Sequence, residues 1–321
     1  MKFTLKSTLI PILLLSCGLL SAQHKQKIAG PLTPEAAAQL KGAEDTLALL
    51  AYAVVNDSIE RERFAACKVL ITKLVKTLKI ENSFSYKFDR LNSISIITSP
   101  DSSFRIFTWQ LFVNDSTYKY YGAIQMNQPD LKLYPIMDRS AEMDPPPISE
   151  PLDPEKWYGA LYYTLRQFDT KEGRKYLLIG YNGYSFFTKR KVIDVLSFDK
   201  TTGKPVFGAP VFKRAADYKG PVELRLYFDY SADSGVRVNW DEAYGMILLD
   251  HLIPIPSPYG RGTAFVTDGS YDALKLEKGK WKFIDKVFND VQDKAPFPEP
   301  VLDSRKGKDI MGKPQKPRKG I

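Results

Sequence analysis

His251 lies in the segment Leu249-Asp250-His251-Leu252, and the only other histidine, His24, is close to the N-terminus. A short way downstream, Thr267-Asp268-Gly269-Ser270-Tyr271-Asp272 sets two carboxylates on either side of a glycine. An imidazole with two carboxylates can carry general acid–base chemistry, so His251, Asp268 and Asp272 form the candidate catalytic set of a hydrolase. Asp268 and Asp272 are also candidate ligands for a hard cation, which binds through oxygens. Each has a plainer use. Asp-Gly-Ser is ordinary turn chemistry, and the segment lacks the further acids and closing glutamate of an EF-hand loop. A histidine at a strand end can simply hydrogen-bond a neighbouring loop. One histidine in the folded part excludes a multi-histidine zinc cage, and no G-x-S-x-G elbow is present. Carboxylate pairs for glycoside hydrolysis could also draw on Glu223, Asp241, Glu242 or Asp250, but their separation is not encoded in spacing.

The second kind of chemistry is recognition by aromatic rings. Tyrosine and phenylalanine number 18 each. Tyr120, Trp157, Tyr162, Tyr181 and Trp240 are the candidate binding residues, within a wider set that includes Tyr118, Tyr121, Tyr158, Tyr163 and Tyr184. A flat row of such rings could stack on sugars, with the Tyr hydroxyls as hydrogen-bonding handles. Cross-strand core packing is the competing use. Neither a G-x-x-x-x-G-K-[ST] loop nor a strand-linked G-x-G-x-x-G is present, so no nucleotide is expected and no cofactor is called for.

The chain opens with an export address. Lys2 and Lys6 precede an apolar run from Leu9 to Leu20, and Ser21-Ala22-Gln23 offers a small-residue cleavage point. Residues 1–22 therefore read as a signal peptide. Leu14-Leu15-Ser16-Cys17 also resembles a lipobox, which would make Cys17 a lipidation site. With Ala22 as the cleavage point, Cys67 is left alone and cannot form an intramolecular disulfide; its helical neighbours Leu70, Ile71 and Leu74 mark it as a buried apolar residue. The formal charge of +9 belongs to the other end. Arg305, Lys306, Lys308, Lys313, Lys316, Arg318 and Lys319 crowd the last residues against Asp309, and without them the body is close to neutral. A nucleic-acid groove would need a basic stripe on the folded part, and no nucleic-acid partner is expected. The tail itself could touch anionic lipid or polysaccharide by charge.

These residues must be held by elements that the pattern also predicts. Thr33-Pro34-Glu35 is a helix start. Apolar stripes over Leu40–Val54 and Ile59–Leu78, broken at Asn56-Asp57-Ser58, predict a helical hairpin within 23–82. From Phe84 the period becomes two: Phe84, Tyr86 and Phe88 alternate with polar residues, and strands follow near 104–113, 118–126 and 131–134. This first antiparallel β region covers 83–143. A Pro-rich connection follows at 144–156. The second β region, 157–290, has strands near 157–165, 175–181, 191–199, 222–228, 244–249, 263–266, 271–276 and 281–285, with Ile253–Gly260 as an irregular loop. Residues 291–321 read as a disordered basic tail. The fold class is mainly β with an N-terminal α-helical hairpin, α+β overall, its antiparallel meanders arranged as a sandwich or propeller-like.

Several segments together resemble a family of uncharacterised exported proteins of Bacteroidota-type bacteria. They are Ser99-Pro100-Asp101 with Phe104–Trp109, Trp157–Tyr163, Lys191–Leu196, Val206–Phe212, and Asp250-His251-Leu252 with Asp268–Asp272. The resemblance implies an envelope location, periplasmic, outer-membrane-associated or extracellular, and carries no activity. The expected function is an exported cell-envelope protein in a non-enzymatic interaction or scaffold role, with an envelope protein or polysaccharide as partner. A carbohydrate-binding protein and a hydrolase built on His251 with Asp268 and Asp272 are the alternatives.

Overall fold

The structure is a computed structural model and describes residues 27–214, 218–260 and 262–288. The expected signal peptide, residues 1–22 with Cys17, and the expected basic tail, 291–321, lie outside the described residues. Helix α1 spans Pro34–Asn56 and α2 spans Glu60–Leu78. Thr33 Oγ1 accepts from the Ala36 amide at 3.1 Å, satisfying one of the orphan donors of the first turn. The buried face of α1 runs Leu40, Glu44, Leu47, Ala51, Val54, and that of α2 runs Arg63, Cys67, Leu70, Leu74, Leu78. Both follow the three- and four-residue spacing of one helix face. No helix among the described residues is long and apolar enough to cross a membrane.

Three mainly antiparallel sheets follow among the described residues. The first sheet runs β1 (Ser95–Thr98), β2 (Phe104–Asn114), β3 (Thr117–Met126) and β4 (Leu133–Met137), in chain order. The second contains β5 (Leu161–Thr170), β6 (Gly173–Asn182), β7 (Thr188–Phe198) and β8 (Pro205–Phe207), with β10 (Leu226–Ser231) on the outer side of β7. The third is ordered β11 (Val238–Asp241), β12 (Met246–Pro256), β13 (Thr263–Glu277), β14 (Lys280–Ile284), and ends in β9 (Phe212–Lys213), which joins β14 in parallel.

Side-chain alternation stacks these sheets. On β2, Phe107, Trp109 and Leu111 face the helices, while Phe104 and Ile106 face the second sheet. On β6 and β7, Leu178, Val192 and Leu196 look back to the first sheet; Leu177, Ile179, Ile193 and Val195 look forward to the third. The second sheet is thus buried on both faces, which is why its strands read as nearly continuous apolar runs. The fold is mainly β with two N-terminal helices, as the pattern predicts.

The proline-rich connection is docked along its length. The guanidinium of Arg225, fully buried, donates to the carbonyls of Pro147 (2.6 Å), Glu150 (2.8 Å) and Phe207 (3.0 Å). It also meets the equally buried Asp194 at 3.3 Å.

Phe84–Phe88 and Ile253–Gly260 are among the segments that differ from their expected form. The alternation at Phe84, Tyr86 and Phe88 predicts a strand, yet Ser83–Ser85 is a short 3-10 turn and Phe88 has a φ of 57°. The Phe84 and Phe88 rings pack on a buried cation instead of lining a strand. Arg105 places its guanidinium 5.3 Å from the Phe84 ring and 5.1 Å from that of Phe88. It also donates to Gln125 Oε1 at 2.8 Å and the Ser83 carbonyl at 3.0 Å. Burial pushes its pKa down to about 9. The expected loop at Ile253–Gly260 is strand as far as Pro256. Proline is tolerated there because β11 pairs only with Met246–Leu249, so that among the described residues this half of β12 has a free edge.

Candidate functional site

The expected turn at Asp268-Gly269-Ser270 is a bulge within one long strand. Asp250 pairs with Tyr271 and Leu252 with Thr267, so the single residue His251 faces three residues on β13. Gly269 supplies the positive φ, 86°, that the bulge needs. Asp268 accepts from the Ser270 amide (2.9 Å) and hydroxyl (2.6 Å). These bonds, with the nearby Lys286, lower its pKa to about 2.

The bulge brings two of the predicted three, His251 and Asp272, into contact, while Asp268 turns to Lys286. His251 Nδ1 lies 2.9 Å from Asp272 Oδ1, and Lys286 Nζ lies 3.6 Å from Asp268 Oδ2. The structure adds Asp285, whose Oδ1 is 3.6 Å from His251 Nδ1. Register explains its arrival. Ala273 pairs with Ile284 across the β13–β14 hairpin, so the next residues outward are Asp272 and Asp285. Two aspartates equally far from the Lys278-Gly279 turn were the available signal.

The predicted aromatic row is not formed as expected. Tyr120, Trp157 and Tyr162 are buried between the first and second sheets, at 3%, 0% and 0% exposure. Trp157 Nε1 donates to the Tyr162 hydroxyl at 2.9 Å, satisfying both inside the core. Tyr181 is half-buried beside Lys191, whose Nζ is 5.5 Å from the ring centre. Trp240 is half-buried under Arg166, 4.1 Å from its ring. The latter two do not join the buried three in one surface.

Tyr120, although mostly buried, does converge with tyrosines of the wider set. A cavity of 190 Å³ is walled by Tyr118, Tyr120, Tyr158 and Tyr184, together with Ser140, Asp144 and Asn182. Its geometry is held from behind. The Tyr120 hydroxyl accepts from the Gly183 amide at 2.6 Å, and the Tyr118 ring lies against Gly183, where a Cβ would come within 2.5 Å of it. Tyr184 has a φ of 42°, and the Arg190 guanidinium sits 3.9 Å from its ring centre. Asn182 accepts the Tyr184 amide at 2.7 Å and donates to the Gly159 carbonyl at 2.6 Å. Arg190 also donates to the Tyr158 hydroxyl and to Asp229, at 2.6 Å for Nη2. Burial acts to lower the Arg190 pKa, but these bonds and charges outweigh it and raise it. Burial pushes Tyr158 up to about 12, so its hydroxyl stays protonated at neutral pH.

This cavity adjoins a larger one of 560 Å³, and the two share Thr117, Tyr118, Tyr120 and Ala141. The larger one is an apolar trough. One wall is α2, through Ile71, Leu74, Val75 and Leu78; the opposite wall is β3 and β4, through Tyr121, Ala123, Leu133, Pro135 and Met137. Trp109 also lines it and stacks on Tyr121, 5.7 Å between centres and 11° from parallel. Cys67 is buried in the cluster behind this stack, and burial raises its thiol pKa, as suits an inert apolar residue. At the mouth, Arg139 pairs with Glu142 at 2.9 Å. The trough was not legible in sequence because it needs α2 laid across strands some fifty residues away.

Compared with known proteins, the chain matches no family model, no curated protein and no solved structure.

Proposed function

We propose that this chain is an exported cell-envelope protein that binds an amphiphilic ligand, with the apolar body in the α2–β4 trough and a hydroxyl-bearing head, such as a sugar, in the tyrosine cavity. The carrying observation is the shared wall at Tyr118 and Tyr120, which joins an apolar space to a polar aromatic one. The trough volume falls within the range of about 300–1,000 Å³ usual for small-molecule sites. Tyrosine rings held rigidly by Gly183, Arg190 and Asn182 give flat apolar contact and hydroxyl handles at little entropic cost. The export address supports an envelope setting, where amphiphiles with sugar heads are ligands of the right chemistry.

The test is calorimetric titration with dodecyl maltoside below its micelle-forming concentration, and with maltose and dodecanoate separately. Dodecyl maltoside binds, and each half alone binds at least about tenfold more weakly, because linking the two halves makes the second contact intramolecular. Ile71→Glu, which places a charge on the trough wall, and Tyr184→Ala, which removes the head contact, each weaken it by a similar factor. A maltoside that does not bind, or binds equally to both variants, overturns the proposal.

A further inference from the structure

The His251 cluster lies outside the proposed cleft, and its atoms suit a different ligand. His251 Nδ1, Asp272 Oδ1 and Asp285 Oδ1 come from β12, from β13 and from the residue after β14. Nδ1 is 2.9 Å from the first carboxylate and 3.6 Å from the second, and all three donor atoms lie within 4.8 Å of one another. With zinc-to-ligand bonds near 2.0–2.1 Å, neighbouring donors in a tetrahedral site stand about 3.3 Å apart. The two separations from His251 bracket that value, and rotation of the exposed Asp285 side chain brings the three onto one ion.

We propose that His251, Asp272 and Asp285 form a three-ligand site for a zinc-class divalent ion, which clamps the end of β14 to the β12–β13 bulge. One imidazole with two carboxylates is a mixed nitrogen–oxygen donor set. Calcium and magnesium are served by oxygens alone, so the donors favour a first-row transition ion. Binding replaces the His251–Asp272 hydrogen bond, with the imidazole hydrogen moving to Nε2. The Lys286 amide, donating to Asp272 Oδ1 at 3.0 Å, orients that carboxylate from behind, as metal-bound carboxylates require. The ammonium of Lys286 is directed to Asp268, which stands outside the ligand set. His251 and Asp272 are largely enclosed, with side chains 19% and 9% exposed, while Asp285 at 70% is free to close onto an ion. Three protein ligands leave a fourth position to water.

The experiment is titration of the full mature chain with ZnCl₂, followed by calorimetry and by melting temperature, and with CoCl₂, followed by visible absorption. Zinc binds at one site and raises the melting temperature, and cobalt gives the intense absorption of low-coordinate geometry. Asp285→Asn and His251→Gln weaken zinc binding at least roughly tenfold, in line with ligand-shell losses. Asp268→Asn leaves it within a few-fold. Because Asp285 is exposed, Asp285→Asn keeps the fold whether or not His251→Gln does. Absence of zinc binding, or binding unchanged in Asp285→Asn, overturns the site.

Discussion

Asp101 shows how one residue ties two sheets. Its carboxylate accepts from Ser99 Oγ, Ser103 Oγ and the Ser103 amide beside the β1–β2 turn, and from the Tyr176 hydroxyl at 2.7 Å on β6. Burial opposes its charge, yet these bonds hold its pKa well below the usual carboxylate range. A lowered folded pKa gives stability that is full above the unfolded value, near 4, and is lost as pH falls through the folded value. Asp101→Asn is therefore expected to cost about 1.5–3 kcal/mol at pH 7. The gap between wild type and variant in urea midpoint narrows towards about pH 2; a constant gap refutes the assignment. Asp194 and Arg225 are the other stake. Complete burial raises the Asp194 pKa, while the Arg225 charge and the Val195 amide work against the rise. Asp194→Asn leaves a buried guanidinium without its counter-charge, so urea denaturation should show a loss of about 3–5 kcal/mol. A loss under 1 kcal/mol would mean that the carbonyls of Pro147, Glu150 and Phe207 alone compensate the cation.

At the scale of elements, the β6–β7 loop shapes the cleft. Gly183→Ala would drive a methyl group into the Tyr118 ring. Its expected effect is displacement of Tyr118, weaker maltoside binding, and an overpacking cost of about 1–3 kcal/mol. Unchanged binding would separate Tyr118 from the site. The helical hairpin and the long strands could be read directly, because capping at Thr33 and the three–four stripes of α1 and α2 are local signals. So are the period-two runs of β2 and β3. Phe84–Phe88 carries the same period-two pattern, but Arg105, twenty residues on, recruits its rings. Asp268-Gly269-Ser270 looks like a turn because a bulge uses the same residues as a turn. His251, Asp268 and Asp272 were visible as chemistry from residue type. Asp285 depended on hairpin register, and Trp157 and Tyr162 went into the core because the second sheet is covered on both faces.

At the scale of the molecule, the two helices and three sheets of the described residues pack as successive layers, and the cleft opens between α2 and the strands β3 and β4. The proposed setting rests on residues 1–22. Mass spectrometry of the native protein should find Gln23 as the first residue; an intact Met1 in cytosolic fractions would remove the envelope setting. It would leave the cleft standing. Binding in that cleft is the central claim, and the most direct measurement is a crystal structure grown with dodecyl maltoside. The alkyl chain is expected between Ile71 and Met137 and the sugar rings against Tyr118 and Tyr184. Detergent ordered at another surface, with the cleft free of it, would refute binding in the cleft.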